Sequence, residues 1–200
     1  MTVLITGFEP FRGRRHNTSW DVARAVTSRL RGNGFLTDAA TSSGGRASID
    51  LAQLPVVFGT VVRELPGLVQ VRQPRVAVCL GERTGTDVPL LETRAVNAQV
   101  GRDNSGADVD RPILPGGEGE RVLSPDVVRL LEEVEGLGVS DDAGRYVCNT
   151  TLWTGLDLAR QGEVDRFVFI HVPALEAGDT EGLRRVVGRV TRAVEILARA

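Results

Sequence analysis

RFVFIHV, residues 166–172, decides the fold. Four apolar residues in a row, Phe167 to Ile170, are aromatic or β-branched and too few for a helix, so the stretch reads as a strand. About seven residues later a helix is expected over 179–199. Leu183, Val186, Val187, Val190, Val194 and Leu197 recur along it at helical spacing as one buried stripe. A strand followed by an amphipathic helix is the repeating unit of an α/β sheet. The strand also ends on His171, a titratable ring.

The same alternation runs back through the chain. TVLITG (2–7) and RVAVCL (75–80) read as buried strands, and 47–54 as a strand with partial alternation. Between them, 19–31 places Trp20, Val22, Ala23, Val26 and Leu30 on one face, with Ser19 as the expected N-cap. A helix is expected near 57–70, kinked or ended early by Pro66. Residues 92–100 read as a strand and 101–120, rich in Gly and Asp, as a long polar loop. Ser124 and Pro125 open a helix expected over 125–137. A short extended segment, 144–147, leads through Cys148 into a helix over 149–160. This pattern implies one α/β domain over 1–200, a three-layer α/β/α arrangement around a twisted, mostly parallel or mixed sheet. Ligand sites in such folds gather beyond the carboxyl ends of the strands. Here those ends are GFEPF, LGERTG, YVCN and FIHVP, where the unusual side chains cluster.

Composition narrows the chemistry. The 200 residues carry 24 basic and 26 acidic side chains, for a net charge of −2. This balance argues against nucleic acid or an anionic membrane surface as partner. No apolar run reaches the roughly 18–20 residues of a bilayer span, and the N-terminus lacks a secretory pattern, so a cytoplasmic location is expected. Every basic residue is Arg. The absence of Lys excludes Schiff-base, pyridoxal-phosphate and Ser–Lys chemistry, and the phosphate lysine of a P-loop. The two Cys and two His show no zinc spacing, so no metal is expected.

Several motifs fail. GFEPFRG lacks the spacing and terminal Lys-Ser/Thr of a phosphate loop. GNGFLT (32–37) lacks a third glycine and follows no strand. There is no HExxH and no GxSxG.

Cys148 stands where a strand turns into a helix. The amides of a first helical turn and the helix dipole favour a thiolate and offer donors to an oxyanion. His171 ends a neighbouring strand and supplies a base; Glu82 and Glu92 are the carboxylates placed to orient it. His16, in RGRRHN, reads as solvated. The same residues also suit a non-catalytic small-molecule-binding α/β module with Cys148 merely buried.

TGFEPF, Asn17-x-Ser19-Trp20, LPVVFG (54–59), ETRAVN (92–97), YVCN (146–149) and FIHVP (169–173) occur in that order. Together they resemble the pyroglutamyl peptidase I family of cysteine peptidases, from the first strand to the last. The resemblance implies an α/β fold, commonly a homotetramer, and possible assembly as a tetramer or dimer. It implies hydrolysis of an N-terminal pyroglutamyl residue from small peptides without metal or organic cofactor. It assigns Cys148 as nucleophile, His171 as base and Glu92, rather than Glu82, as the third member. Phe8 and Phe11 fall on the aromatic pair against the pyrrolidone ring, and Arg102 matches an Arg near the oxyanion. Three segments depart from the family pattern. Gly-Glu-Arg-Thr-Gly-Thr (81–86) replaces Gly-Gln-Ala-Gly-Gly-Arg, which puts Glu82 where a substrate-facing Gln is expected. GRDN (101–104) stands for ARIPDN, and Asn17-Thr18 for Asn-Pro. The altered pocket leaves a related thiol hydrolase with another acyl preference as the alternative.

Overall fold

A computed structural model describes residues 1–35 and 47–200; the last two residues of GNGFLT lie outside that range. Its centre is a six-stranded sheet in the order β2-β1-β3-β10-β4-β9. These strands are β1 (Thr2–Phe8), β2 (Ser48–Leu54), β3 (Val76–Arg83), β4 (Leu90–Glu92), β9 (Gly138–Ser140) and β10 (Arg166–Pro173). β1, β2, β3 and β10 run parallel; β4 is antiparallel to β10 and parallel to β9. The three central strands are buried almost throughout, as the unbroken apolar runs require.

Helices α1 (Thr18–Gly32) and α5 (Thr180–Arg199) pack together on one face, with the short α3 (Pro125–Leu131) against α5. Helices α2 (Phe58–Arg72) and α4 (Val147–Arg160) pack together on the other. Gly155 sets how closely α4 lies on the sheet: a methyl group there would come within 2.0 Å of the Phe167 ring. No helix among the described residues is long and apolar enough to cross a membrane.

Several boundaries differ from the sequence-based expectation. The N-cap of α1 is Asn17, whose Oδ1 accepts from the Ser19 amide at 3.0 Å and the Ser19 hydroxyl at 2.8 Å. Ser19 instead accepts, through its hydroxyl, from the Phe8 amide at 3.0 Å. Helix α2 continues through Pro66 to Arg72. Val62, whose carbonyl loses its donor to Pro66, is only partly buried. Helix α3 stops at Leu131, with Glu132 as its C-cap, short of the expected 137.

Residues 92–100 are not one strand. Glu92 ends β4, while β5 (Arg94–Val96) pairs with β8 (Glu120–Val122) and β6 (Gln99–Arg102) with β7 (Asp108–Arg111). Much of the expected 101–120 loop is therefore ribbon. β7 is almost wholly exposed, and such a strand leaves no apolar alternation to read.

Candidate active site

Cys148 is the second residue of α4, which starts two residues earlier than expected and so takes the cysteine inside its first turn. The N-cap Tyr146 provides no side-chain bond, so the first-turn amides remain available to a ligand. The sulfur lies over Gly81 of β3: a methyl group there would stand 3.0 Å from Sγ and 2.7 Å from the Phe169 ring. Only glycine lets the helix start settle so close to the strand. Gly81 is also the register partner of His171 on β10, one strand spacing of about 4.8 Å away. The thiol, over Gly81, and the imidazole, on the next strand, thus line one pocket.

The thiol is not the depressed one that a helix terminus alone would produce. Burial pushes it up to about 12, and the carboxylates of Glu92 and Glu82 add to the rise. Its own backbone amide and Arg83 oppose the change without reversing it. At neutral pH the isolated thiol keeps its proton, so attack requires a base. Cys79, fully buried in β3, is likewise raised to about 12 by burial.

That base has an orienting partner. His171 Nδ1 lies 2.7 Å from Glu92 Oε1, with both side chains buried. Glu92 is the antiparallel partner of Phe169, so it shares a sheet face with His171 as its diagonal neighbour. Burial disfavours the Glu92 anion, yet the hydrogen bond and charge of His171, with Ser140 and Arg83, hold its pKa below the usual carboxylate value. An ionised Glu92 fixes the proton on Nδ1 and leaves Nε2 as acceptor. Arg83 Nη1 donates to the same Glu92 oxygen at 3.0 Å and to the Asp142 carbonyl at 2.6 Å. The Phe169 ring holds the imidazole edge-on, with centroids 5.0 Å apart.

The pocket beside this trio has a volume of about 470 Å³. Phe8, Phe11 and Tyr146 form its aromatic walls. Phe8 is a core residue as well, 2% exposed, with its ring tilted against that of Phe169 at 6.4 Å between centroids. Phe11 is half-buried and meets Tyr146 at 6.3 Å. The loop carrying them is held from several sides. The Glu9 amide donates to the Leu54 carbonyl at 3.0 Å, and Asn17 Nδ2 to the Glu9 carbonyl at 2.9 Å. Asn104 Nδ2 donates to Glu9 Oε1 at 2.7 Å and to the Pro10 carbonyl at 2.9 Å.

Glu82 lines the pocket but is already engaged. One carboxylate oxygen pairs with Arg14, and the other accepts from the Thr18 amide at 2.7 Å. It braces the start of α1. Asn17 reaches the pocket wall while capping α1. Arg102 is not brought into the pocket: its Nε donates to the Gly106 carbonyl at 3.1 Å, within its own hairpin. The hairpin geometry of β6 and β7 turns it away. Its carbonyl accepts instead from the Tyr146 hydroxyl at 2.7 Å.

Sequence reading missed Arg83, Tyr146, Asn104 and Asn149. Asn149, next to the thiol, accepts from the Val96 amide at 2.9 Å and donates to the Val96 and Ala98 carbonyls. Each missed residue lies within a motif already singled out, LGERTG, YVCN or GRDN, and that membership was the available signal. Among the described residues no group of three or more His, Cys, Asp or Glu side chains could hold a metal ion.

The family and relatives that this chain matches make it a cysteine-type peptidase. A model of the pyroglutamyl peptidase family matches residues 1–180, and the chain belongs to that family. The pyrrolidone-carboxylate peptidase of Erwinia tasmaniensis is 32% identical over 86% of this chain and 78% of its own length. That of Thermococcus onnurineus is 31% identical over 98% and 96%. Among solved structures, pyroglutamyl peptidase I of Bacillus amyloliquefaciens superposes with a TM-score of 0.75 at 29% identity, covering 99% of this chain and 95% of that one. Pyrrolidone carboxyl peptidase of Pyrococcus furiosus gives 0.76 at 26% identity, covering 98% and 96%.

Proposed function

We propose that this chain removes an N-terminal pyroglutamyl (5-oxoproline) residue from small peptides, with Cys148 as nucleophile, His171 as base and Glu92 orienting the imidazole. The observation that carries the reading is the 2.7 Å contact of His171 Nδ1 with the buried Glu92, beside a pocket shared by His171 and Cys148. As Sγ attacks the pyroglutamyl carbonyl, His171 Nε2 takes the thiol proton, and the oxyanion forms against first-turn amides of α4. The imidazolium then protonates the leaving amine, the C–N bond breaks, and a thioester remains. Water, deprotonated by His171, hydrolyses the thioester and returns the thiol. The apolar walls of Phe8 and Phe11 suit a flat lactam.

Residues 1–200 act as a single α/β domain in this reading. A cytoplasmic setting is supported by the two free cysteines, since a thiol nucleophile must stay reduced. Homo-oligomer formation rests on the family resemblance alone. The test is release of a coumarin amine from its pyroglutamyl and prolyl amides. The native protein is expected to cleave the pyroglutamyl amide far faster, and Cys148→Ala to lose at least about 10³-fold in kcat/KM. Equal cleavage of both amides would remove the acyl specificity; an active Cys148→Ala would remove the nucleophile.

A further inference from the structure

The Glu82 carboxylate joins two points of the segment between the aromatic loop and α1. One oxygen pairs with the Arg14 guanidinium, and the other accepts from the Thr18 amide at 2.7 Å. The side chain is 2% exposed, so water competes little for either bond. Both points lead to a pocket wall. The Arg14 amide donates to the Phe11 carbonyl at 3.1 Å, closing a turn through Arg12 and Gly13, whose φ values of 53° and 73° are left-handed. Thr18 follows Asn17, whose Nδ2 donates to the Glu9 carbonyl at 2.9 Å. The turn carrying Phe11 and the residue next to Phe8 are thereby both held to β3, the strand that also carries Gly81 beside the thiol.

Thr18 is the first residue of α1, a position that suits proline because its amide has no partner within the helix. Here that amide is used. Both Glu82 and Thr18 depart from the family pattern, which has Gln and Pro there, and the structure joins the two departures by a hydrogen bond. Proline has no N–H to give, and Gln has one acceptor oxygen and no charge, so each departure finds its partner in the other. Thr18 Oγ1 also accepts from the Leu175 amide at 3.0 Å, beyond the end of β10.

We propose that Glu82 is a positioning residue: through Arg14 and the Thr18 amide it sets the place of Phe11 and Asn17 around the acyl ring, and Glu82 and Thr18 act as one coupled unit. The inference rests on the pyroglutamyl peptidase reading and adds to it a residue that acts through others. The His171–Glu92 contact is outside this unit, so the effect belongs to KM rather than kcat.

The test is a double-mutant cycle on a pyroglutamyl coumarin amide, with Glu82→Gln, Thr18→Pro and both together. Thr18→Pro alone is expected to raise KM about 5- to 20-fold, with kcat within about threefold of native. In the Glu82→Gln protein the same substitution should raise KM less than about twofold, because the charged acceptor of the amide is already gone. The Glu82 charge also acts on the Cys148 thiol, and the cycle cancels that share. Additive losses in KM overturn the unit. Coupling in urea unfolding with none in KM also overturns it, since the bond would then serve folding alone. Thr18→Val keeps the amide and loses the hydroxyl; a loss equal to that of Thr18→Pro would assign the effect to the Leu175 bond and overturn the role of the amide. If Thr18→Pro does not fold, Arg14→Gln takes its place in the cycle with the same expectation. A native protein without pyroglutamyl hydrolysis overturns both this inference and the reading it rests on.

Discussion

At the scale of single residues, Glu92 Oε1 serves two donors at once: His171 Nδ1 at 2.7 Å and Arg83 Nη1 at 3.0 Å. Ser140 stands on the same side from β9, while Cys148 and Glu82 face the site from α4 and β3. Arg83 helps hold the Glu92 carboxylate ionised, and in doing so it competes with an imidazolium for that charge. Removing Arg83 takes away one of the groups that hold the Glu92 carboxyl below the usual carboxylate value, so Glu92 takes up its proton at a higher pH. The acid limb of kcat/KM is therefore expected to move upward in Arg83→Met, modestly because Arg83 is partly solvated. A pH–rate profile of the two proteins checks this. An unchanged limb would mean that Arg83 only braces the loop at Asp142.

At the scale of elements, α4 carries the nucleophile and its placement depends on Gly155. A methyl group there would collide with Phe167, a fully buried ring of β10. Gly155→Ala gains helix propensity but overpacks the interface, and a net loss of about 1–3 kcal/mol is expected from urea unfolding. The catalytic elements were legible from sequence because each ends an apolar run or opens an amphipathic one. β10, β3 and β1 announce themselves in this way. Elements outside the core did not: β7 and β9 are short and mostly solvated, so no burial imposes a period on them. Arg102 shows the same limit for the site. Its motif was readable, but its direction depends on a hairpin whose pairing leaves no trace in hydrophobicity. The thiol shows another limit: position at a helix start is visible in sequence, whereas the extent of burial around the sulfur is not.

At the scale of the whole molecule, the sheet order brings distant segments to one edge. β1, β3 and β10 are neighbours and parallel, so the segments around Phe8, Gly81 and His171 converge although about seventy and ninety residues of chain separate them in turn. Antiparallel β4 reaches the same face from the opposite direction, which is why Glu92 is buried inside the sheet. The aromatic loop at this edge is tied to β2, to the start of α1, to the end of β3 through Arg14, and to the 103–107 turn through Asn104. Such a wall is preorganised: a ligand has little backbone left to order, and affinity need not be spent on closing a lid. Amides of residues 8–20 should therefore exchange with deuterium at nearly the same rate in the free protein and with a bound pyroglutamyl inhibitor. A strong slowing confined to this stretch would show instead that the loop is ordered by its substrate.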